Sequence, residues 1–213
     1  MKRLILALSS LGLCLLALPA DHRAQTTDLP KFEVGAEFSS ISKPNFDGAR
    51  TEAGFGGRVT FNLNKSFALE AATFFFPHKC HSCNRSNGTT LEGLFGVKAG
   101  KRFEKWGIFA KARPGFASFS QGDINFLPAP PGVEVVVDRA THFAFDVGGV
   151  IEFYPTKRIV TRFDGGDTMI HFNRRQVNFP LFDGMGNVSF LPYTLPATTT
   201  HNFQFSAGVG FRF

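Results

Sequence analysis

The chain has 213 residues, 23 Lys and Arg against 17 Asp and Glu, and a formal net charge of +6 at neutral pH. That length holds one domain once a leader is set aside. The positive charge does not mark a nucleic-acid binder, because no basic stripe with interleaved aromatics occurs. Beyond the first twenty residues no apolar run reaches about 18 residues, so no helix is long enough to cross a bilayer.

The N-terminus reads as a secretory leader. Lys2 and Arg3 give a positive start, and Leu4–Leu8 and Leu11–Leu18 give an apolar run. Pro19-Ala20 is a plausible cleavage point and Ala24 a later one. The polar stretch Asp21–Gln25 follows the run, which argues against a retained helix. Leu13 is too bulky a predecessor for Cys14 to become a lipid-anchored residue. The expected organisation is a signal peptide over residues 1–20, a short segment over 21–30, and one domain over 31–213.

Eight segments then alternate with period two, the signature of strands with two chemically different faces. In chain order the apolar parity is Phe32, Val34, Ala36, Phe38; then Ala53, Phe55, Val59, Phe61; then Phe67, Leu69, Ala71, Thr73, Phe75; then Leu91, Phe95, Val97, Ala99. It continues as Trp106, Ile108, Ala110, Ala112; Phe143, Phe145, Val147, Ile151, Phe153; and Ile159, Thr161, Phe163. It ends as Phe203, Phe205, Ala207, Val209, Phe211, Phe213. Each segment is roughly 10 residues, enough for a tilted strand to cross a bilayer.

The charges decide between a membrane barrel and a soluble cup. Glu33, Glu37, Glu52, Arg58, Glu70, Glu92, Lys98, Lys111, Arg113, Asp146, Glu152, Arg162, Asp164 and Arg212 all fall on the opposite parity. A Lys or Arg facing lipid at mid-bilayer costs about 2–4 kcal/mol. Sorting every one of these charges away from the apolar face is what a lipid-facing wall demands. A soluble β-sandwich or lipocalin-like cup would instead hide the apolar parity.

The connections alternate as well. Residues 62–66, 101–105 and 155–158 are short, while 40–50, 77–90, 121–140 and 173–199 are long. Short turns at one end and long loops at the other fit an outer-membrane barrel. In hydrocarbon no strand edge can stay unpaired, so the sheet must close. The predicted fold is all-β: an eight-stranded antiparallel up-and-down transmembrane β-barrel, both chain ends on the short-turn, periplasmic side and the long loops extracellular. Pro114 cannot donate to a ladder, so a bulge is expected there. Asp167 departs from the parity of its segment, which places it above the membrane or past a bulge at Gly165-Gly166.

The closing strand, with Phe205, Val209 and Phe211 outward and Phe213 last, resembles the recognition signal that the barrel-assembly machinery reads in bacterial outer-membrane proteins. Over about residues 30–213 the chain resembles the small eight-stranded outer-membrane proteins, the OmpA-like transmembrane domain and its OmpX-like relatives, grouped also as porin-family barrels. The resemblance is architectural and marks a class rather than an activity. It implies outer-membrane lipid and lipopolysaccharide as surroundings. The sequence stops at the last strand, so no peptidoglycan-binding domain is expected and cell-wall anchoring is not carried over.

An eight-stranded barrel is only just wide enough to be filled by its own side chains. Eight inward carboxylates face six inward cations, and such charges should pair. Glu152, Arg162 and Asp164 flank the short 155–158 turn and should meet. The leading expectation is a structural or surface-interaction protein with a charge-filled lumen; the alternative is a narrow porin-like channel. Inward glycines would serve either by leaving space or by admitting large neighbours. Catalysis is not expected: an outer-membrane lipid-modifying hydrolase would need a serine within reach of a histidine, and His142, His171, Ser118 and Ser120 form no short His-x-Ser pairing. Nothing in the sequence calls for a cofactor.

The segment Pro77-His78-Lys79-Cys80-His81-Ser82-Cys83 holds two close thiols and two imidazoles. An oxidising compartment favours a Cys80–Cys83 disulfide. Zinc ligation and free thiols remain open alternatives. The run Asn125–Gly132, rich in proline, reads as a stiff cap or contact surface over the barrel mouth.

Overall fold

The computed structural model describes residues 29–45, 48–78, 88–124, 135–137, 139–182 and 187–213. The leader, Cys80, Cys83 and the Asn125–Gly132 run lie outside the described residues. The described residues form twelve strands: β1 Phe32–Asn45, β2 Gly48–Asn62, β3 Phe67–Phe76, β4 Thr90–Arg102, β5 Trp106–Phe119, β6 Gly122–Ile124, β7 Val135–Val137, β8 Ala140–Phe153, β9 Ile159–Phe172, β10 Arg175–Phe182, β11 Val188–Leu195 and β12 Thr198–Arg212. Eight of them close into one antiparallel barrel in the order β1-β12-β9-β8-β5-β4-β3-β2. The other four form two small ribbons, β6-β7 and β10-β11, within the third and fourth long connections.

Closure is made by the first and last strands, Val34 opposite Phe211 and Phe38 opposite Ala207. At the short-turn end the Phe32 and Phe213 backbones exchange two hydrogen bonds of 2.9 Å. The stagger follows from the register. One row of partners runs from Thr161 through Val209, Ala36, Gly57, Thr73, Gly93, Phe116 and Phe143, and returns to β9 at His171, ten residues further on. Eight strands with that stagger tilt by about 40° and enclose a space that side chains can fill.

The apolar parity faces outward. Phe38, Phe55, Phe95, Phe143, Phe203 and Phe213 stand exposed on the wall. Aromatic rings collar the short-turn end, with Phe32 beside Phe61 (centroids 5.0 Å apart) and Phe103 stacked on Trp106 (4.2 Å). No apolar environment but lipid suits such a wall on a closed barrel.

Three expectations need correction. The 40–50 connection is not a long loop, because β1 and β2 stay paired as far as Asn45 opposite Gly48. Pro114 makes no bulge: the β4–β5 register is the same on both sides of it, Leu94 opposite Gly115 and Val97 opposite Ala112, and only the intervening rungs are missing. The missing N–H is absorbed by omitting rungs rather than by inserting a residue. There is no bulge at Gly165-Gly166 either, where both ladders run through without a break. What changes there is the chemistry of the two faces. Beyond Gly166 the inward residues Ile170 and Phe172 are buried and apolar, while outward His171 is exposed. The same reversal occurs on β1, where Ile41 is buried and Ser40 and Ser42 lie on the outer side. Towards the long loops the barrel wall changes from apolar outside to polar outside, as a structure leaving lipid for water should.

Candidate functional site

The inward face carries the candidate site. All fourteen charged residues picked from the sequence are buried, Glu33, Lys98, Arg113, Asp146 and Glu152 completely so. Two further cations join them: Lys43, 2% exposed, and Arg102, whose side chain is 6% exposed. Among the described residues the six expected cations plus Lys43 and Arg102 make eight, against the eight carboxylates, so these lumen groups balance in formal charge. Both additions continue the inward parity of their strands. Neither is visible in the alternation, which stops at Ser39 before Lys43 and at Gly100 before Arg102.

Most of the contacts form one connected web, which Glu92 joins only through Gln204 and Thr168 and from which the Lys43–Glu52 pair stands apart. Arg162 lies at its centre. Its guanidinium grips both oxygens of Glu70, through Nη1 on Oε2 and through Nη2 on Oε1 at 2.9 Å. It also holds Asp164 Oδ2 at 3.1 Å and lies 3.7 Å from Glu152 and 3.8 Å from Glu37. Glu152 opposes Arg162 in register, so the three charges beside the 155–158 turn do meet. Lys98 Nζ pairs with Glu152 and stands 3.6 Å from Glu70. Arg113 holds Asp146 at 2.7 Å and reaches Glu70 at 3.4 Å. Lys111 bridges Asp146 and Asp164, both at 3.0 Å.

At the short-turn end Glu33 is shared by Arg58 (3.6 Å), Arg102 (3.4 Å) and Arg212 (3.4 Å), and Arg58 donates to Glu37 at 2.8 Å. Tyr154 closes this end. Its phenol donates to Glu152 Oε2 at 2.8 Å and accepts from Arg102 Nε at 2.9 Å, while the Arg212 guanidinium lies over its ring at 4.4 Å. Burial, and then the neighbouring Glu152 carboxylate, push the phenol pKa above its ordinary value. Toward the long loops Lys43 pairs with Glu52 at 2.6 Å and donates to Thr90 at 2.8 Å. Glu92 is held by Gln204 Nε2 at 3.0 Å, and that amide also reaches Ser39.

Above the charges lies an apolar cluster that the sequence reading missed. Ile41, Ala72, Phe74, Phe76, Leu94, Ala117, Phe119, Ala144, Ile170 and Phe172 pack together inside the barrel. Phe119 stacks on Phe172 with centroids 5.8 Å apart, and the Lys43 ammonium sits 5.4 Å from the Phe119 ring centroid. Inward glycines make room for these rings. Phe74 lies opposite Gly56 across the β2–β3 ladder, and a Cβ at Gly56 would fall 2.6 Å from its ring. A Cβ at Gly54 would fall 2.5 Å from the Phe76 ring. The signal was present in the run Thr73-Phe74-Phe75-Phe76, which supplies phenylalanine to both faces of one strand.

The closing strand places Phe205, Val209, Phe211 and Phe213 on the outer wall, each exposed. The serines and histidines considered for acyl hydrolysis are engaged elsewhere. Ser118 Oγ accepts from Thr141 at 3.0 Å, Ser120 Oγ accepts from the Thr89 N–H at 2.9 Å, and His171 Nδ1 pairs with Thr199 at 2.9 Å. The His142 ring packs 4.6 Å from Phe172. Among the described residues no three His, Cys, Asp or Glu side chains cluster as a metal site.

A closed eight-stranded barrel with an apolar wall and an ionic interior is the architecture of the small outer-membrane barrels. The chain is similar to Neisserial surface protein A, with a TM-score of 0.53 at 11% identity, covering 86% of this chain and 97% of that one. It is also similar to Ail, the attachment invasion locus protein of Yersinia pestis, with a TM-score of 0.47 at 13% identity over 85% of this chain and 97% of that one. The N-terminal β-barrel domain of Pseudomonas aeruginosa OprF gives 0.41 at 13% identity over 84% and 97%. No protein-family model matches the chain, and no curated protein matches it in sequence.

Proposed function

We propose that this protein is a structural and surface-interaction barrel of a bacterial outer membrane, with both chain ends in the periplasm and its long loops outside. The observation that carries this reading is the lumen: a charge-balanced web of buried ion pairs, capped by packed phenylalanines. Opening a path would require breaking buried pairs and withdrawing the rings. Breaking a buried pair costs about 3–5 kcal/mol.

What remains for interaction is the outside. The β10–β11 ribbon pairs only with itself among the described residues, and it exposes Phe190, Leu191 and Tyr193. A two-stranded ribbon is marginal in water alone, and exposed aromatic side chains on such an element suit contact with another molecule. The C-terminal strand, ending in Phe213, is the segment through which assembly machinery would receive the chain.

Single-channel recording on refolded protein tests the reading, with heat-dependent gel mobility as the check that the barrel is folded. Folded protein should give no stepwise conductance. Discrete steps from heat-modifiable protein would instead establish the narrow channel.

A further inference from the structure

The short-turn end of the barrel carries charge of one sign. Six cations stand exposed there: Lys31 just before β1, Lys65 in the β2–β3 turn, Lys101 near the end of β4, Lys105 in the β4–β5 turn, and Lys157 and Arg158 in the β8–β9 turn. Glu104 is the one exposed acid at that end among the described residues. None of these seven side chains makes an ion pair with a described residue, whereas every cation of the lumen does. Lys101 lies over the Phe103 ring, 5.6 Å from its centroid.

The turns hold these charges in fixed places. Two of them are built alike, with one side chain accepting two backbone N–H groups and a lysine following it. Asn64 Oδ1 accepts from Ser66 and Phe67 at 2.7 and 2.8 Å, with Lys65 between. Thr156 Oγ1 accepts from Arg158 and Ile159 at 3.2 and 3.0 Å, with Lys157 between. Such local bonds stiffen a turn. Each basic segment is also bonded to the strand beside it. The carbonyls of Lys31, Ser66 and Arg158 accept from Asn62, Gly100 and Arg212 at 2.8 Å, and that of Lys105 accepts from Tyr154 at 2.9 Å. The cations therefore sit on a rigid ring around the barrel end.

A fixed ring of unpaired cations is complementary to a surface of repeated negative charge. Lipid surrounds the barrel and meets its wall, whereas this end face looks along the barrel axis, away from the bilayer. On the proposed orientation, which puts the short turns in the periplasm, the polymer of the cell wall lies opposite, and its peptide stems carry free carboxylates. We infer that the short-turn face docks on peptidoglycan through those carboxylates. The contact is made by the barrel's own turns and needs no separate domain. Lysine, a point charge on a flexible stem, suits carboxylates of variable spacing.

The test is co-sedimentation of refolded, heat-modifiable protein, held in phosphatidylcholine nanodiscs, with purified sacculi. The unaltered protein should pellet at 0.1 M salt and be released at 1 M, where the Debye length falls from about 10 Å to about 3 Å. The triple variant Lys65→Gln, Lys105→Gln, Lys157→Gln should bind at least about ten-fold more weakly, a floor set below the roughly five-fold per lysine of a dense anionic surface. Sacculi with amidated carboxylates should retain neither protein. Arg174→Gln with Arg175→Gln, at the other end of the barrel, should pellet as the unaltered protein does. Equal pelleting of the triple variant, retention on amidated sacculi, or binding to phosphatidylglycerol vesicles but not to sacculi overturns the inference. Orientation is read separately. Lys65→Cys, with Cys80→Ser and Cys83→Ser, should resist a maleimide too large to cross the outer membrane of intact cells. Labelling there overturns the orientation and this inference with it; failure to bind sacculi without such labelling overturns this inference alone.

Discussion

Replacing Arg162 by Met tests whether the lumen web holds the barrel together. Arg162 is 1% exposed and has Glu70, Asp164, Glu152 and Glu37 within 4 Å, so its charge is unscreened by solvent. Its loss does not orphan four acids. Glu70 keeps Arg113 at 3.4 Å and Lys98 at 3.6 Å, and Asp164 keeps Lys111 at 3.0 Å. The lumen nonetheless retains one uncompensated negative charge, and the bidentate grip on Glu70 disappears. Removing one partner of a buried pair costs about 3–5 kcal/mol, and the remaining cations bring the expected loss to the lower end of that range. Glu70→Gln in the same chain removes the excess charge. The double variant should therefore be more stable than the sum of the two single losses by about 1–3 kcal/mol. The assay is equilibrium urea unfolding in phospholipid vesicles. It is followed by the fluorescence of Trp106, the single tryptophan, which sits on the lipid-facing wall at the short-turn end. A loss under about 1 kcal/mol for Arg162→Met, in the range of an exposed pair, would refute the claim that this web is tightly coupled and dry.

Other outcomes follow from the same geometry. Gly56→Ala would put a Cβ 2.0 Å from the Thr73 carbonyl oxygen and 2.6 Å from the Phe74 ring. It should cost about 1–3 kcal/mol by overpacking. Gly57→Ala points outward, with its nearest atom at 3.5 Å, and should be close to neutral in the same unfolding assay. Tyr154, titrated by ultraviolet absorbance in a Tyr193→Phe background, should hold its proton to higher pH than an unfolded tyrosine, whose pKa is about 10. The folded-state pKa is the raised one, so this contribution is intact below about pH 10 and is lost as pH rises towards the folded value; an ordinary titration midpoint would contradict the buried hydrogen bond to Glu152. Thiol labelling of the exported protein should modify Cys80 and Cys83 only after reductant. Labelling without reductant would remove the disulfide, and protection by bound zinc would replace it.

The outward wall and the inward charges were legible in the sequence because the penalty for a charge in hydrocarbon is large and acts at every second residue. Wherever the bilayer enforces that penalty, alternation alone gives the strand, its facing and its register class. Legibility fails where the bilayer ends. At Ser40, and again beyond Gly166, the strand continues but the solvent on its outer face becomes water. The outward side chains turn polar and the inward ones turn to Ile and Phe. A reader following apolar parity sees the pattern break and places a loop or a bulge, as at 40–50 and Gly165-Gly166. The same blind spot hid Lys43 and the phenylalanine cap, because both belong to strand past the break.

Asp167 shows how such a break carries information. On parity it is misplaced, and a slipped ladder would have explained it. The intact register leaves it on the outer wall, where its carboxylate is partly exposed. His201 Nδ1 contacts one oxygen at 2.5 Å and the Asn202 N–H donates to the other at 3.0 Å. A sequence position that violates the membrane rule without a bulge therefore locates both the upper limit of the lipid-facing band and a polar device built into it.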